Sequence, residues 1–353
     1  MALMFNGRDI LKRDKGLTFD DVLLVPRHSQ ISSRRNTNLL SKVTKKVSLE
    51  LPLITANMDT ITETAMACAM AEMGGLGSLH RFYDTEGQVA MVKEIKAHHE
   101  KNGLKTPIAA SIGVKEEGMR RGDALVDAGV EIITLDIAHG DSVMMLEVLE
   151  YMKKTHPHVE VIAGNVATTD GAARLISAGA DSIKCGIGPG SMCTTRIITG
   201  HGVPQLTAIA MCVEAAAPHG VPVIADGGIK NSGDMVKALC AGASAIMVGS
   251  LVSGTLETPG EMKGGKKLYR GMASKSAQVS WRGELPQGMA AEGEATFVSC
   301  KGSVKDVMHE VAGGIRSGMT YLGVETVDQM LEAGLFMEMS ASGMSESRPH
   351  GVN

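Results

Sequence analysis

Short, nearly continuous apolar runs alternate along the chain with longer stretches in which apolar residues recur at helical spacing. Leu53–Ala56, Leu76–Leu79, Ile108–Ile112, Ile132–Ile137, Val161–Ala163, Ser182–Cys185, Pro222–Ala225 and Ala245–Val248 read as eight strands. Apolar character that runs on without alternating is what parallel strands covered on both faces require. Between them, Thr62–Glu72, Glu86–Glu100, Glu116–Ala128, Asp141–Thr155, Asp170–Ser177, Leu206–Ala216 and Ser232–Leu239 read as helices. Eight strand–helix units predict an α/β chain folded as one (β/α)8 TIM barrel over residues 1–353. A doubly wound open sheet is the alternative, but no G-x-G-x-x-G follows an early strand.

The polar and Gly-rich residues gather where these strands end: Asn57 and Asp59, His80 and Arg81, Gly113, Asp136, Asn165, Gly186–Thr195, Asp226–Gly228, and Gly249–Ser250. In a barrel they converge on the C-terminal face, where barrel enzymes build their sites. Any one of them alone reads as a solvated turn residue; their recurrence at one end of successive strands reads as a site.

Composition narrows the partners. A net charge of −4 and a pI near 6.3 argue against a polyanion-binding surface. One Trp, four Tyr and five Phe leave no base-stacking platform, so nucleic acid is not the expected partner. The longest uncharged apolar run, 238–254, is interrupted by Gly and Ser and reads as a helix end followed by a buried strand, not a membrane span. The N-terminus lacks a secretory h-region and cleavage site. Six Cys without a C-x-x-C pair suggest reduced thiols in a cytoplasmic enzyme. Cys68, Cys212 and Cys240, in Ala-rich helical contexts, read as small core residues. The 24 Met read as adaptable packing in a core short of aromatics, except Met58, Met192 and Met272, which fall among the site residues.

The run CGIGPGSMCTTR, 185–196, carries the chemistry. Gly186, Gly188, Pro189 and Gly190 let the backbone approach a ligand closely. Ser191 and loop amides suit a phosphate, and inward carbonyls a monovalent cation. Cys193, on this constrained loop, is the candidate nucleophile in its thiolate form. Asp226, with Gly227 and Gly228 after the seventh strand, suits a ribose diol. Gly249 and Ser250 follow the eighth strand, where barrels commonly bind phosphate.

With these motifs in place, the chain resembles the family of IMP dehydrogenases and GMP reductases. The matching segments are LTFDDVLLVP (17–26), ANMDT (56–60), GNV (164–166), GIGPGSMCTTR (186–196), GVPQLTAI (202–209), IADGG (224–228), MVGS (247–250), YRGM (269–272) and GGIRSGMTYLG (313–323). The resemblance implies that Cys193 attacks C2 of a purine mononucleotide to give a covalent thioimidate. It implies phosphate contacts at Ser191, Gly228, Gly249, Ser250 and Tyr269, a ribose contact at Asp226 beside Gly227, and base contacts at Gly271 and Met272. Asp136, Ala138, Asn165 and Arg316 are implied on the cofactor side. The carbonyls of Gly188, Gly190 and Cys193 match the family's potassium site, and a homotetramer is the implied assembly.

Within the family, the residues point to a GMP reductase using NADPH to convert GMP to IMP and ammonia. No tandem regulatory CBS domains interrupt the chain, since 94–107 holds only a helix end and a linker. The flap segment 275–291 lacks the Arg-Tyr pair that activates hydrolytic water in dehydrogenases, and contains no Tyr; Arg282 reads as an exposed loop residue. LHRF (79–82), LDIAHGDS (135–142) and AAEG (290–293) resemble reductase segments, Arg81 standing for a basic residue near the substrate. Thr195 and Glu292 are then the proton-transfer pair for the departing amine, with His80 and His139 in positioning roles. GNVAT (164–168), VPQLTAI (203–209) and the tail segment SGMSESRPHGV (342–352) resemble dehydrogenases instead, and Met289 and Ala291 stand where many reductases carry Arg and Ser. The alternatives are an IMP dehydrogenase without CBS domains, using NAD, and a non-catalytic purine-nucleotide-binding paralogue.

Overall fold

A computed structural model describes residues 3–284, 287–288 and 290–349. Met289 and residues 350–353 of the tail therefore lie outside the described residues. The eight apolar runs form the strands of a closed parallel barrel: β1 (Leu53–Thr55), β2 (Leu76–Leu79), β3 (Ala109–Ile112), β4 (Ile132–Asp136), β5 (Glu160–Val166), β6 (Ser182–Cys185), β7 (Val223–Asp226) and β8 (Ala245–Val248). Each pairs with its sequence neighbours, and β8 closes on β1 with Ile246 opposite Leu53. The open-sheet alternative is excluded by this closure.

Around the barrel run α1 (Thr64–Glu72), α2 (Thr85–Asn102), α3 (Glu116–Ala128), α4 (Val143–Thr155), α5 (Thr169–Ser177), α6 (Gln205–Ala216), α7 (Ser232–Cys240) and α8 (Val304–Leu322). α1 starts two residues later than the periodicity predicts because the Thr62 hydroxyl is engaged with Thr55 Oγ1 (2.9 Å) and the Ala56 carbonyl (2.7 Å). Only residues 103–108 separate α2 from β3, so no further domain is inserted there. Met66, Met70, Met145, Met152, Met235, Met308, Met319 and Met330 are fully buried, the packing role expected of an aromatic-poor core.

Among the described residues, several elements are not evident in the hydrophobic pattern, three of them larger ones. α8 closes the helical ring against α7 and α1. An antiparallel hairpin, Lys266–Arg270 with Ala295–Ser299, is inserted between β8 and α8 and carries the flap segment. A small antiparallel sheet joins both ends of the chain, with Leu335–Glu338 between Met4–Asn6 and Val22–Leu24 and Phe5 stacked on Phe336. The flap is not wholly a loop: Lys275–Arg282 is helical, N-capped by Ser274, whose side chain accepts from Ala277 N.

Candidate active site

A cleft of two adjoining cavities, about 410 and 230 Å³, opens among residues from the C-terminal ends of the strands. The smaller is lined by Ser191, Gly228, Gly249, Ser250, Tyr269 and Gly271, and the larger by Arg81, Asp136, Asn165, Lys184, Gln278 and Arg282. Cys193, Thr195, Glu292, Asp226, Gly227, Ala138 and Met272 belong to both. The expected nucleophile thus sits where the two halves meet.

The loop after β6 is shaped by close backbone contact. Gly186 has φ +147°, and a Cβ there would lie 2.1 Å from the Asp226 carbonyl, so no other residue fits the turn. The Cys193 amide donates to the Gly190 carbonyl at 3.0 Å. The segment after the flap is laced to this loop: Thr194 N donates to Glu292 O (3.1 Å), and Glu294 N to Met192 O (2.9 Å). That lacing brings together side chains 97 positions apart. The Cys193 thiol donates to Thr195 Oγ1 at 3.2 Å, and the Thr195 hydroxyl donates to Glu292 Oε2 at 2.8 Å. Thiol, hydroxyl and carboxylate form one directional hydrogen-bond line.

Behind Cys193 lies a buried charge cluster centred on Lys184, which is 2% exposed. Its ammonium donates to Asp226 Oδ2 (3.1 Å), Asp136 Oδ1 (3.3 Å) and Asn165 Oδ1. Asn165 is the extra residue of a bulge: β5 pairs Gly164 with Lys184 and Val166 with Cys185, which turns the amide across the barrel mouth. Its Nδ2 donates to Gly186 O (2.8 Å) and Asp226 Oδ2 (2.9 Å). Burial pushes the Asp136 carboxyl upward, but Lys184, Arg81 and their hydrogen-bonding neighbours outweigh it and hold Asp136 below its ordinary value. Burial likewise opposes the charge on Lys184, and the two aspartates overcome it, raising its pKa. Lys184 and Asp136 are therefore held in their charged forms, with the Asp226 carboxyl against the same ammonium.

In the smaller half, the Ser191 and Tyr269 hydroxyls meet at 3.2 Å. Tyr269 is 4% exposed, and burial raises the pKa of its hydroxyl, which stays a neutral donor. Gly249 carries no side chain beneath that hydroxyl; a Cβ there would lie 3.3 Å from it. Met272 Sδ accepts from Asp59 N at 3.3 Å, and Arg270 pairs with Asp59, anchoring the strand that delivers Gly271 and Met272.

His80, expected to position rather than transfer protons, is 1% exposed. Its Nδ1 accepts from Phe82 N (3.1 Å), so Nε2 carries the proton and donates to Glu63 Oε1 (3.0 Å). His139 is exposed, and its loop contributes Ile137 and Ala138 to the larger cavity. Arg282 is exposed, as expected, yet it ends the flap helix and lines that cavity, with its guanidinium 5.3 Å over the Trp281 ring.

One expectation changes. Arg316, implied on the cofactor side, lies on α8 with its guanidinium committed to the carbonyl and hydroxyl of Thr37, and does not line the cleft. Gly188, Gly190 and Cys193, whose carbonyls were expected to hold potassium, lie on one loop, where the Gly190 carbonyl also accepts from Cys193 N at 3.0 Å. Arg196 Nη2 donates to the Val203 carbonyl (2.6 Å), and its side chain packs against Gly188. Among the described residues, no group of three His, Cys, Asp or Glu is placed to hold a metal, and no helix is long and apolar enough to cross a membrane.

Sequence reasoning missed Lys184 and Gln278. A lysine inside the buried run Ser182–Cys185 was the available signal for the first, since a charge in a covered strand demands partners. Gln278 offered none, being one polar residue of a polar flap.

The sequence profile of the "IMP dehydrogenase / GMP reductase domain" family matches residues 16–350. An inosine-5'-monophosphate dehydrogenase of Cryptosporidium parvum is 41% identical over 96% of this chain and 96% of its own length. A GMP reductase of Leishmania donovani is 31% identical over 96% of this chain and 97% of its own. The crystal structure of a GMP reductase from Trypanosoma brucei in complex with guanosine 5'-monophosphate superposes with a TM-score of 0.89 at 30% identity, covering 98% of this chain and 100% of that one.

Proposed function

Because the chain belongs to the family of IMP dehydrogenases and GMP reductases, we propose that it is a GMP reductase, converting GMP to IMP and ammonia with NADPH as reductant. The observation that carries this reading is the line from Cys193 through Thr195 to Glu292. Moving one proton along each of its two hydrogen bonds leaves a thiolate at Cys193 and a protonated carboxyl at Glu292. The thiolate adds to C2 of guanine, and the C2=N3 electron pair moves to N3. The exocyclic amine then takes a proton from the Thr195 hydroxyl, which Glu292 replenishes. The amine leaves as ammonia, and the N3 electrons re-form the C=N bond of the thioimidate. Amide nitrogen is a poor leaving group without that proton, and groups of this kind contribute about 10²–10⁴-fold.

The two halves of the cleft suit the two substrates. Ser191, Gly228, Gly249, Ser250 and Tyr269 would hold the phosphate, Asp226 with Gly227 the ribose, and Gly271 with Met272 the base. The half lined by Asp136, Ala138, Asn165 and Arg81 fits a nicotinamide ring, since two buried polar atoms there, Gln278 Oε1 and Arg81 Nε, make no hydrogen bond within the chain. The bound cofactor supplies the hydride that C2 accepts. Cys193 then departs from C2 as the thiolate, and Lys184 keeps Asp136, Asn165 and Asp226 in place around the reacting face. No step is assigned to a potassium ion.

The 41% identity to the Cryptosporidium enzyme favours the competing reading, oxidation of IMP to XMP with NAD. Against it stands the flap, whose residues 275–291 contain neither an Arg-Tyr pair nor a Tyr to activate hydrolytic water. A purine sensor without catalysis would require none of Cys193, Thr195 and Glu292. We place the enzyme in the cytoplasm, consistent with six unpaired cysteines, and as a homotetramer, an assembly able to cover Ile197, which is 82% exposed beside the site. Cys193→Ala tests the mechanism: turnover should vanish while GMP binding stays within a few-fold, and retained turnover would overturn it.

A further inference from the structure

The flap helix contributes one side chain with an unspent hydrogen-bond acceptor. Gln278 Nε2 donates to the Met272 carbonyl at 2.8 Å. A carbonyl only accepts, so the amide must present its NH2 group to Met272 and direct Oε1 the other way. Oε1 is buried and has no partner. Gln278 lines the half of the cleft that holds Asp136 and Asn165, and not the half that holds Ser191 and Tyr269. Buried polar atoms in native proteins are almost always paired, and an acceptor held this way and left without a donor points to a ligand donor. Among the described residues, the only other buried polar atom around this half that makes no hydrogen bond is Arg81 Nε, a donor whose nearest anion, Asp136 Oδ2, lies 3.7 Å away, beyond hydrogen-bond reach. One orphan acceptor and one donor without a hydrogen bond complement a primary carboxamide, which offers N–H and C=O side by side.

We propose that Gln278 Oε1 accepts the carboxamide N–H of the nicotinamide ring and so fixes which ring face meets C2 of the purine. The inference rests on the nicotinamide reading of this cavity. Placement separates it from a purine contact. A mononucleotide with its phosphate at Ser191 and Ser250 and its C2 at Cys193 fills the smaller half, and Gln278 lies on the far side of Cys193. The Met272 carbonyl clamps the amide from a segment that also borders the purine, so the same short stretch, 272–278, orients both reactants.

The test is a binding cycle rather than a rate. Oxidised dinucleotide cannot reduce GMP, so NADP+ binds a GMP-loaded protein without turnover. Calorimetric titration would compare NADP+ with its 3-acetylpyridine analogue, in which a methyl replaces the carboxamide NH2, on the unaltered protein and on Gln278→Met. Met keeps the length and helix propensity of Gln. The unaltered protein should bind the analogue on the order of ten-fold more weakly, because Oε1 is left unpaired. In Gln278→Met the two dinucleotides should bind within about two-fold of each other, with GMP affinity unchanged. Undiminished discrimination in Gln278→Met, or a weakened GMP affinity with discrimination intact, overturns the proposal. Gln278→Leu serves the same comparison if Gln278→Met does not fold. If NADP+ fails to bind while NAD+ binds, the cycle runs with NAD+ and its analogue, and only the reductase reading is weakened. If the unaltered protein binds neither dinucleotide, the oxidoreductase reading falls and this proposal with it.

Discussion

The Thr195 hydroxyl donates to Glu292 Oε2 at 2.8 Å, joining the loop that carries Cys193 to the segment that follows the flap. A threonine hydroxyl is too weak an acid to protonate a leaving amine unaided, so the pair functions only together. Glu292→Gln and Thr195→Val should each lower turnover by about 10²–10⁴-fold. The double variant should be little worse than either single one, because the two residues act as a unit. GMP affinity, measured by calorimetry, should change only a few-fold. Additive losses in the double variant would show that the two act separately.

Buried Lys184 lies between Asp136 and Asp226, and its removal leaves these two partly buried carboxyl groups without the cation they share. Lys184→Met should destabilise the fold by about 3–5 kcal/mol, the usual cost of breaking a buried ion pair from one side. Urea unfolding measures this directly. Lys184→Arg, which keeps the charge, should recover most of the loss.

The same cluster sets a pH window. Asp136 is held below its ordinary value of 3.8, because Lys184 and Arg81 outweigh the upward push of burial. Its contribution to stability is present above that value and is lost as pH falls through the depressed folded value. Lys184, raised above 10.5 by Asp226 and Asp136 against the opposing effect of burial, contributes below 10.5 and loses that contribution as pH rises through the raised value. Between about pH 5 and 9 these two groups should leave stability level. In Lys184→Met the acid limb should begin at higher pH, since burial of Asp136 is then opposed by Arg81 alone among the two cations. Urea midpoints across pH 4–9 would show the displacement.

Trp281 is the only tryptophan, and it meets Phe82 edge-on at 5.3 Å from the flap helix. Its fluorescence therefore reports the contact between the flap and the residues after β2. Phe82→Ala removes an aromatic pair worth about 0.5–1.5 kcal/mol. It should shift Trp281 emission to the red and raise the KM for the dinucleotide while leaving that for GMP nearly unchanged. An unshifted emission would show that this contact does not hold the flap.

The barrel was legible because its strands are covered on both faces, leaving apolar runs whose order along the chain is also their order in space. The nucleophile loop was legible for a related reason: tight turns against a ligand demand glycines, and glycines are visible. The hairpin was hidden because its inward positions alternate Lys267 with Tyr269; Lys267 is buried by donating to the carbonyls of Leu256 and Thr258, so polarity masks the pattern. Lys184 was hidden by its neighbours, its partners Asp136, Asn165 and Asp226 standing 48, 19 and 42 positions away. Arg316 was misplaced because a motif names a residue without saying whether its side chain faces the cleft or, as here, Thr37.

In the proposed mechanism this line of thiol, hydroxyl and carboxylate expels ammonia from GMP. A paired assay on the purified protein tests it most directly. With GMP and NADPH, cofactor oxidation should proceed with one ammonia released per IMP formed, while IMP and NAD should give little XMP. Robust XMP formation with no ammonia from GMP would contradict the account.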